Sequence, residues 1–277
     1  MLHRVYLLLY RTIGAIPNAG VVKSLQTEPE NYPVDQLIVD DESGSGPIGP
    51  GGTRALMTSI LGIGPGMNFV PKPCAEGAKG GVEKEGKWTR LAPNTYKLLK
   101  SLRIWRCNIG DGGAQAVAEL LELGGSECAL AFLELMDDNI GPMGGLAIGQ
   151  ALSYGNNLSL LTLKLDYNNT LGTKGIADLC KGLRTNRTLK QLHLQFCDIT
   201  GTEGGAALSD VLANGNGVLE VMNLSGNRLG GRGLSALCRG LLTNVKLTNL
   251  SLADNMIDHV SKCTLTLLFQ VISYIIM

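Results

Sequence analysis

The chain has 277 residues, of which 44% are hydrophobic and 17% are charged, so it can bury a substantial core and is not globally disordered. Its 24 Lys and Arg residues balance its 24 Asp and Glu residues, so the chain has no excess of positive charge of the kind that favours nucleic acid or an anionic membrane as partner. The seven cysteines are scattered and form no Cys-x-x-Cys pair, a pattern that favours free thiols in a reducing compartment over disulfides or a zinc site.

Residues 1–33 are expected to form an N-terminal tail for which the sequence indicates no definite structure. The apolar run VYLLLY in this tail ends at Arg11, and no small-residue cleavage site follows it. A signal peptide is therefore not favoured.

A degenerate first repeat of one strand and one helix is predicted for residues 34–61. Apolar residues occupy the inward positions of a strand at Val34, Leu37 and Val39. The following segment, IGPGGTRALMTSIL (48–61), resembles IGPMGGLAIGQAL (140–152) later in the chain. Both segments open with Ile-Gly-Pro and continue with the small and apolar residues of a helix.

A glycine-rich loop between this strand and helix matches a nucleotide-binding pattern. GSGPIG (44–49) has the Gly-x-Gly-x-x-Gly spacing of dinucleotide-binding loops. However, Asp40, Asp41 and Glu42 place three negative charges directly before the loop, and a Gly/Pro-rich segment follows the helix where a second strand-helix-strand unit would be needed. The glycines are therefore interpreted as part of the repeat.

Residues 62–93 are predicted to be an insertion, because they contain seven glycines and four prolines between two repeats. Gly81 to Lys87 fit the spacing of a phosphate-binding loop, but Trp88 follows where Ser or Thr would contact magnesium. A connection of this length is expected to be flexible or to serve as a docking loop.

Six repeats are predicted in residues 94–277, and the last of them is degenerate. Each contains the apolar pattern Leu-x-x-Leu-x-Leu, and three residues after its last apolar position comes an anchor: Cys107, Asp138, Asn168, Cys197, Asn227 and Asn255. A stretch of helical period follows each of the first five anchors, so each unit is read as one strand, one turn and one helix.

These patterns resemble leucine-rich repeats of the ribonuclease-inhibitor type, strongly over residues 98–258 and weakly over residues 34–61. The resemblance implies an α/β fold, namely a right-handed β/α solenoid shaped as a horseshoe or arc. Parallel strands are then expected on the concave face and helices on the convex face.

The anchor position ends each strand, where a side-chain amide can satisfy backbone groups of the turn. Cys107 and Cys197 match the cysteine variant of the repeat, whereas Asp138 matches neither variant. Either Asp138 accepts turn N–H bonds as an ionised acid, or its repeat is locally irregular.

Residues between the buried leucines are expected to point into the concave face, and the largest of them lie on the first strands of the array. The candidate partner-binding residues are Arg103, Trp105, Phe132, Glu134, Met136, Lys164, Asp166 and His193. Tryptophan, methionine, phenylalanine and arginine are enriched in interface hot spots. Alternatively, Arg103, Glu134 and Lys164 alternate in sign on neighbouring strands and pair with one another.

No catalytic residue, cofactor site or metal site is predicted, because the three histidines lack partners at the spacing of a triad or metal cage. The resemblance implies a non-enzymatic scaffold that binds a partner protein, with no nucleic acid or small-molecule substrate and no membrane. The alternatives are a GTPase-activating protein similar to the Ran activators and a fragment of a larger repeat-bearing regulatory protein. The expected location is the cytoplasm, with a cytoskeletal or ciliary assembly as a narrower option.

Residues 258–277 are predicted to form a final helix that lacks the polar face of the earlier helices. Residues 264–277 carry no charge, and 14 residues are too few to span a bilayer. Terminal repeats normally present a polar outer surface. This end is therefore expected to be truncated, oligomeric or covered by a partner.

Overall fold

The computed structural model describes the following parts of the chain: residues 6–7, 17–26, 35–41, 47–63, 95–153, 155–214 and 217–257. The predicted insertion at 62–93 lies outside them except for its first two residues. The predicted C-terminal helix at 258–277 lies outside them entirely.

Strands and helices alternate through the described residues after one N-terminal helix. The strands are β1 (Gln36–Asp40), β2 (Ser101–Trp105), β3 (Phe132–Met136), β4 (Thr162–Lys164), β5 (Gln191–His193), β6 (Val221–Asn223) and β7 (Asn249–Ser251). The helices are α1 (Ala19–Gln26), α2 (Gly49–Ile60), α3 (Gly110–Gly124), α4 (Pro142–Ala151), α5 (Gly172–Leu183), α6 (Gly201–Asn214) and α7 (Gly230–Leu241).

The seven strands form one parallel sheet in the order of the sequence. Each strand is hydrogen-bonded to the strand of the next repeat, and the helices pack on one another along the other side of the array. The repeated leucines lie between the two layers, as Leu102, Leu133 and Leu163 illustrate by their complete burial. The predicted β/α solenoid is confirmed.

The N-terminal strand and helix continue the array. Strand β1 pairs in parallel with β2 over five residues, from Gln36 opposite Ser101 to Asp40 opposite Trp105. The backbone N–H of Gly49, which begins α2, donates to the Cys107 carbonyl at 3.0 Å. Because this N–H is bonded to the next repeat, it is not available to a nucleotide phosphate.

Helix α1 lies within the segment 1–33 and packs against β1. Asn18 accepts a hydrogen bond from the Val21 N–H at 3.0 Å through its side-chain Oδ1, which caps the start of the helix. Val21 and Leu25 are buried and join the same hydrophobic core as the strands. This helix therefore covers apolar surface at the N-terminal end of the sheet.

Asparagine anchors join neighbouring repeats through both the oxygen and the nitrogen of their side-chain amides. Asn168 is fully buried, and its Oδ1 accepts hydrogen bonds from the N–H groups of Asp138 and Ile140 at 3.1 and 3.0 Å. Its Nδ2 donates to the carbonyls of Leu135 and Leu165 at 2.8 and 2.9 Å. The side chain thus satisfies backbone groups that the sheet does not reach.

The anchors Asn227 and Cys197 meet at a later turn. The Oδ1 of Asn227 accepts from the N–H groups of Cys197 and Ile199 at 3.1 and 3.0 Å. The thiol of Cys197 points back to the Leu165 carbonyl at 3.1 Å. Asparagine and cysteine anchors therefore both bond backwards to the preceding repeat.

Asp138 fills the anchor position with a carboxyl group that is fully buried. Its Oδ1 accepts a hydrogen bond from the Cys107 N–H at 2.8 Å, whereas its Oδ2 has no hydrogen-bond partner in the described part of the chain. Burial raises the pKa of this carboxyl to about 8. The group is therefore largely protonated at neutral pH rather than ionised, and the protonated acid resembles an amide in offering one acceptor and one donor.

Glycines allow the helices to approach one another closely on the side away from the sheet. A Cβ at Gly182 of α5 would overlap the backbone of Gly149 in α4. A Cβ at Gly205 of α6 would likewise overlap the backbone of Gly233 in α7. Any larger residue at these two positions would force neighbouring helices apart.

Replacement of Asp138 by asparagine is expected to remove a pH dependence of stability. The unfolded carboxyl ionises near pH 4 but the folded one keeps its proton to about pH 8, so the native state loses stability as pH rises through this window. The free energy of unfolding should fall by up to about 1.4 kcal/mol per pH unit for one such group. Urea denaturation at pH 5, 6, 7 and 8 should show this slope in the wild type and a flatter profile in Asp138→Asn.

The reciprocal variant, Asn168→Asp, provides the control. This substitution places a carboxyl in an equivalent buried site, where ionisation is unfavourable. The variant protein should therefore be more strongly destabilised at pH 8 than at pH 5. Parallel pH profiles for the wild type and Asp138→Asn would contradict the conclusion that the buried Asp138 carboxyl keeps its proton at neutral pH.

Candidate functional site

A row of charged side chains crosses the middle of the sheet on the face away from the helices. The strand register places Arg103 opposite Glu134, and Glu134 opposite Lys164. Arg103 Nε lies 3.6 Å from Glu134 Oε2, and Lys164 Nζ lies 3.7 Å from Glu134 Oε1. One carboxylate is therefore shared between cations from the strands on either side, as the pairing alternative from the sequence expects.

The same two cations enclose the ring of Phe132. The Arg103 guanidinium carbon lies 4.9 Å from the ring centroid, and Lys164 Nζ lies 5.4 Å from it. Both distances fall within the range of cation–π attraction. Phe132, Arg103 and Lys164 thus form one cluster around Glu134, which is only 8% exposed.

Trp105 and Met136 end β2 and β3 and face each other in register. Both side chains are half-buried. The indole Nε1 of Trp105 is buried and has no hydrogen-bond partner among the described residues. An apolar pair therefore lies beside the charged row, toward the carboxyl ends of the strands.

Asp166 and His193 continue the site toward β5. Asp166 is 4% exposed, and its Oδ1 accepts a hydrogen bond from the Gln195 N–H at 2.8 Å. Burial raises the pKa of Asp166 and lowers the pKa of the half-buried His193, although attraction to Asp166 opposes the shift of the histidine. Of the eight predicted residues, Glu134 and Asp166 are thus buried in the face, whereas the other six are half-exposed.

Two aromatic residues that the leucine pattern does not single out lie at the carboxyl-terminal rim of the sheet. Tyr167 and Phe196 each follow the last outward position of their strand, and their rings stack with centroids 4.9 Å apart and planes inclined by 14°. Both are substantially exposed. Only their equivalent positions in adjacent repeats, DYN and QFC, signal this pair in the sequence.

The five described cysteines are free and buried. Burial raises the pKa of the Cys107 thiol to about 11 and that of Cys180 to about 12. Since the thiolate is the reactive form, these side chains are packing residues rather than nucleophiles.

Among the described residues there is no group of three or more His, Cys, Asp or Glu side chains arranged to hold a metal ion. In the same part of the chain, every helix is too short or too polar to cross a lipid bilayer.

Comparisons with known proteins agree with the repeat architecture. The family model described as Leucine Rich repeat matches residues 97–118, 185–209 and 216–238. Ribonuclease inhibitor from Sus scrofa is 36% identical over 152 residues, which cover 53% of this chain and 31% of that protein. NACHT, LRR and PYD domains-containing protein 5 from Bos taurus is 34% identical over 183 residues, which cover 62% of this chain and 16% of that protein.

The aligned part of the chain spans about a third of the length of the ribonuclease inhibitors that it matches. A solved structure titled Leiomodin-1 Actin-Binding Site 2 (ABS2) aligns with a TM-score of 0.41 and 17% identity, covering 48% of this chain and 72% of that one. A likeness of this size carries no argument about function.

Glu134→Gln is expected to destabilise the fold by about 1 kcal/mol, because it leaves Arg103 and Lys164 without the carboxylate between them. The loss should be greater at low ionic strength, where repulsion between the two cations is less screened. Chemical denaturation at two salt concentrations measures both effects.

Glu220→Gln is the matched control, since Glu220 pairs with Lys190 at 3.0 Å but both side chains are about half exposed. Its effect should stay within about 0.5 kcal/mol. Equal effects of the two substitutions would show that burial of Glu134 contributes nothing.

Proposed function

Because the chain is a leucine-rich repeat protein of the ribonuclease-inhibitor type, we propose that it is a non-enzymatic scaffold that binds a partner protein on the concave face of its sheet. The fold class alone does not specify a function, so the proposal depends on the side chains that the sheet presents. The part of that face formed by β2, β3 and β4 carries the proposed binding site.

The observation that carries the proposal is the concentration of large side chains on neighbouring strands. Phe132 lies between two cations, and Trp105 and Met136 lie beside them in register. Aromatic residues, methionine and arginine are the residue types enriched in interface cores. The equivalent positions on β6 and β7 carry smaller and more polar residues, so binding energy is expected to come mainly from the first strands.

The two buried carboxylates have a positioning role in this proposal. Glu134 holds Arg103 and Lys164 against the ring of Phe132, so the cations are ordered before a partner arrives. Side chains that are already ordered lose less conformational entropy on binding. Asp166 is proposed to hold the Gln195 backbone in the same way at the next strand.

A cytoplasmic location is part of the proposal. Five buried free thiols suit a reducing compartment, where disulfides do not form. The proposed partner is a protein, since the chain carries no excess of positive charge for nucleic acid.

The variant Trp105→Ala with Phe132→Ala is expected to abolish capture of the partner from a lysate of the source cells. Truncation of a central aromatic residue in an interface typically costs about 2 kcal/mol or more, so two such losses reduce the affinity roughly a thousandfold. Quantitative pull-down followed by mass spectrometry measures the loss, with circular dichroism and the melting temperature as checks on folding.

The matched control is Gln191→Ala with Asn249→Ala, which removes two exposed polar side chains from the same face on β5 and β7. It should leave capture unchanged. If the aromatic variant folds and captures the partner normally, the interface lies elsewhere. If it unfolds, Phe132→Leu distinguishes loss of packing from loss of binding.

A further inference from the structure

The stacked pair of Tyr167 and Phe196 has a geometric origin in the repeat. The two residues follow the same position of β4 and β5, and their N–H groups donate to Gln195 and Ser225 carbonyls at 2.8 and 3.0 Å. Neighbouring strands are about 4.8 Å apart, so rings projecting in parallel stack at the observed 4.9 Å.

Both aromatic residues adopt a backbone conformation that is costly for bulky side chains. Their φ angles are 64° for Tyr167 and 50° for Phe196, in the left-handed region. The two residues nevertheless remain 48% and 42% exposed. The equivalent position is also left-handed at Asp137, Gly226 and Asp254, so the conformation belongs to the repeat, and this pair is distinguished by its large exposed side chains.

The two rings differ in their neighbours along the rim. Phe196 is covered by Tyr167 on one side and lies against Gly226 on the other, where a Cβ would overlap the ring. Tyr167 stacks on Phe196 and remains 48% exposed. The strand on its other side is β3, where Asp137 occupies the equivalent position with φ 54° and an exposed side chain.

The charge of this rim is predominantly negative. The rim consists of the last outward residue of each strand from β2 to β7 and the residue that follows it. These positions hold three acidic residues, namely Asp137, Asp166 and Asp254. Arg106 is the single cation at these positions, and both of its bonds to the Asp40 carboxylate are 3.0 Å long. Lys164, one outward position deeper on β4, pairs with Glu134 and also favours the charged form of the buried Asp166. Asp137 and Asp254 are the exposed carboxylates of the rim, so an incoming cation meets the exposed Tyr167 beside the carboxylate of Asp137.

We propose that the exposed ring of Tyr167 and the carboxylate of Asp137 bind the guanidinium group of an arginine in an exposed segment of the partner protein. This inference rests on the proposed function and names the chemistry that the rim recognises. A guanidinium is planar, so it can lie flat on the ring while its edge donates N–H bonds to a carboxylate. A lysine ammonium can also contact a ring and a carboxylate, as Lys164 does with Phe132 and Glu134, but it is a compact point charge that neither stacks flat nor donates as a planar fork, so it should bind less tightly. An aromatic side chain would leave Asp137 unpaired.

The test uses the full chain and two fluorescein-labelled nine-residue peptides of equal charge, one of alternating Gly and Arg and one of alternating Gly and Lys. Fluorescence anisotropy should show two- to fivefold tighter binding of the arginine peptide, the range expected for one exposed cation–π contact. Tyr167→Asn should abolish this preference, and Tyr167→Phe should retain it. Asparagine tolerates the left-handed φ, so the first variant removes the ring without adding strain.

Asp137→Asn should weaken binding of both peptides and reduce the arginine preference, whereas Asp254→Asn is the control for general charge at the same position of another repeat. Equal binding of the two peptides, no binding of either at millimolar concentration, or a preference that survives Tyr167→Asn would overturn the inference. Partner capture that still depends on Trp105 and Phe132 would then leave the proposed function standing, so the two failures are distinguishable.

Discussion

The buried amide at the end of the strand is the interaction on which the rest of the structure depends. Asn168 and Asn227 each accept two N–H bonds from the preceding repeat and donate to carbonyls on both sides of the repeat boundary. Four bonds from one small side chain leave little freedom for one repeat to slide on the next. The strands therefore stay in register, and side chains from successive repeats meet as neighbours in one row.

Asp138 makes fewer of these bonds than the asparagine anchors make, and it lies beside the proposed binding residues. The boundary between β2 and β3 has one anchor bond to Cys107 in place of the several made by an amide, and it is the boundary across which Arg103 meets Glu134 and Trp105 meets Met136. The part of the sheet with the largest outward side chains is thus also the part whose anchor is a buried carboxyl group.

The spacing of leucines was sufficient to predict the strands, the helices and the row that contains Arg103, Glu134 and Lys164, because burial of one face fixes which residues point outward. It did not predict that Glu134 would be buried, since this depends on two long cations closing over it from adjacent strands. The stack of Tyr167 on Phe196 was also missed. Its geometry follows from left-handed backbone angles at the strand ends, which no hydrophobic pattern records.

The glycine contacts between helices affect the shape of the proposed binding face itself. Parallel strands are about 4.8 Å apart, whereas packed helices are usually 8–10 Å apart, and this difference bends a solenoid toward its sheet. Contacts such as Gly182 on Gly149 and Gly205 on Gly233 reduce the helix spacing, so each repeat turns by a smaller angle. A sheet whose repeats turn by smaller angles has a wider radius, so the partner proposed above would fit it better with a broad, gently convex surface than as a small domain that had to be enclosed.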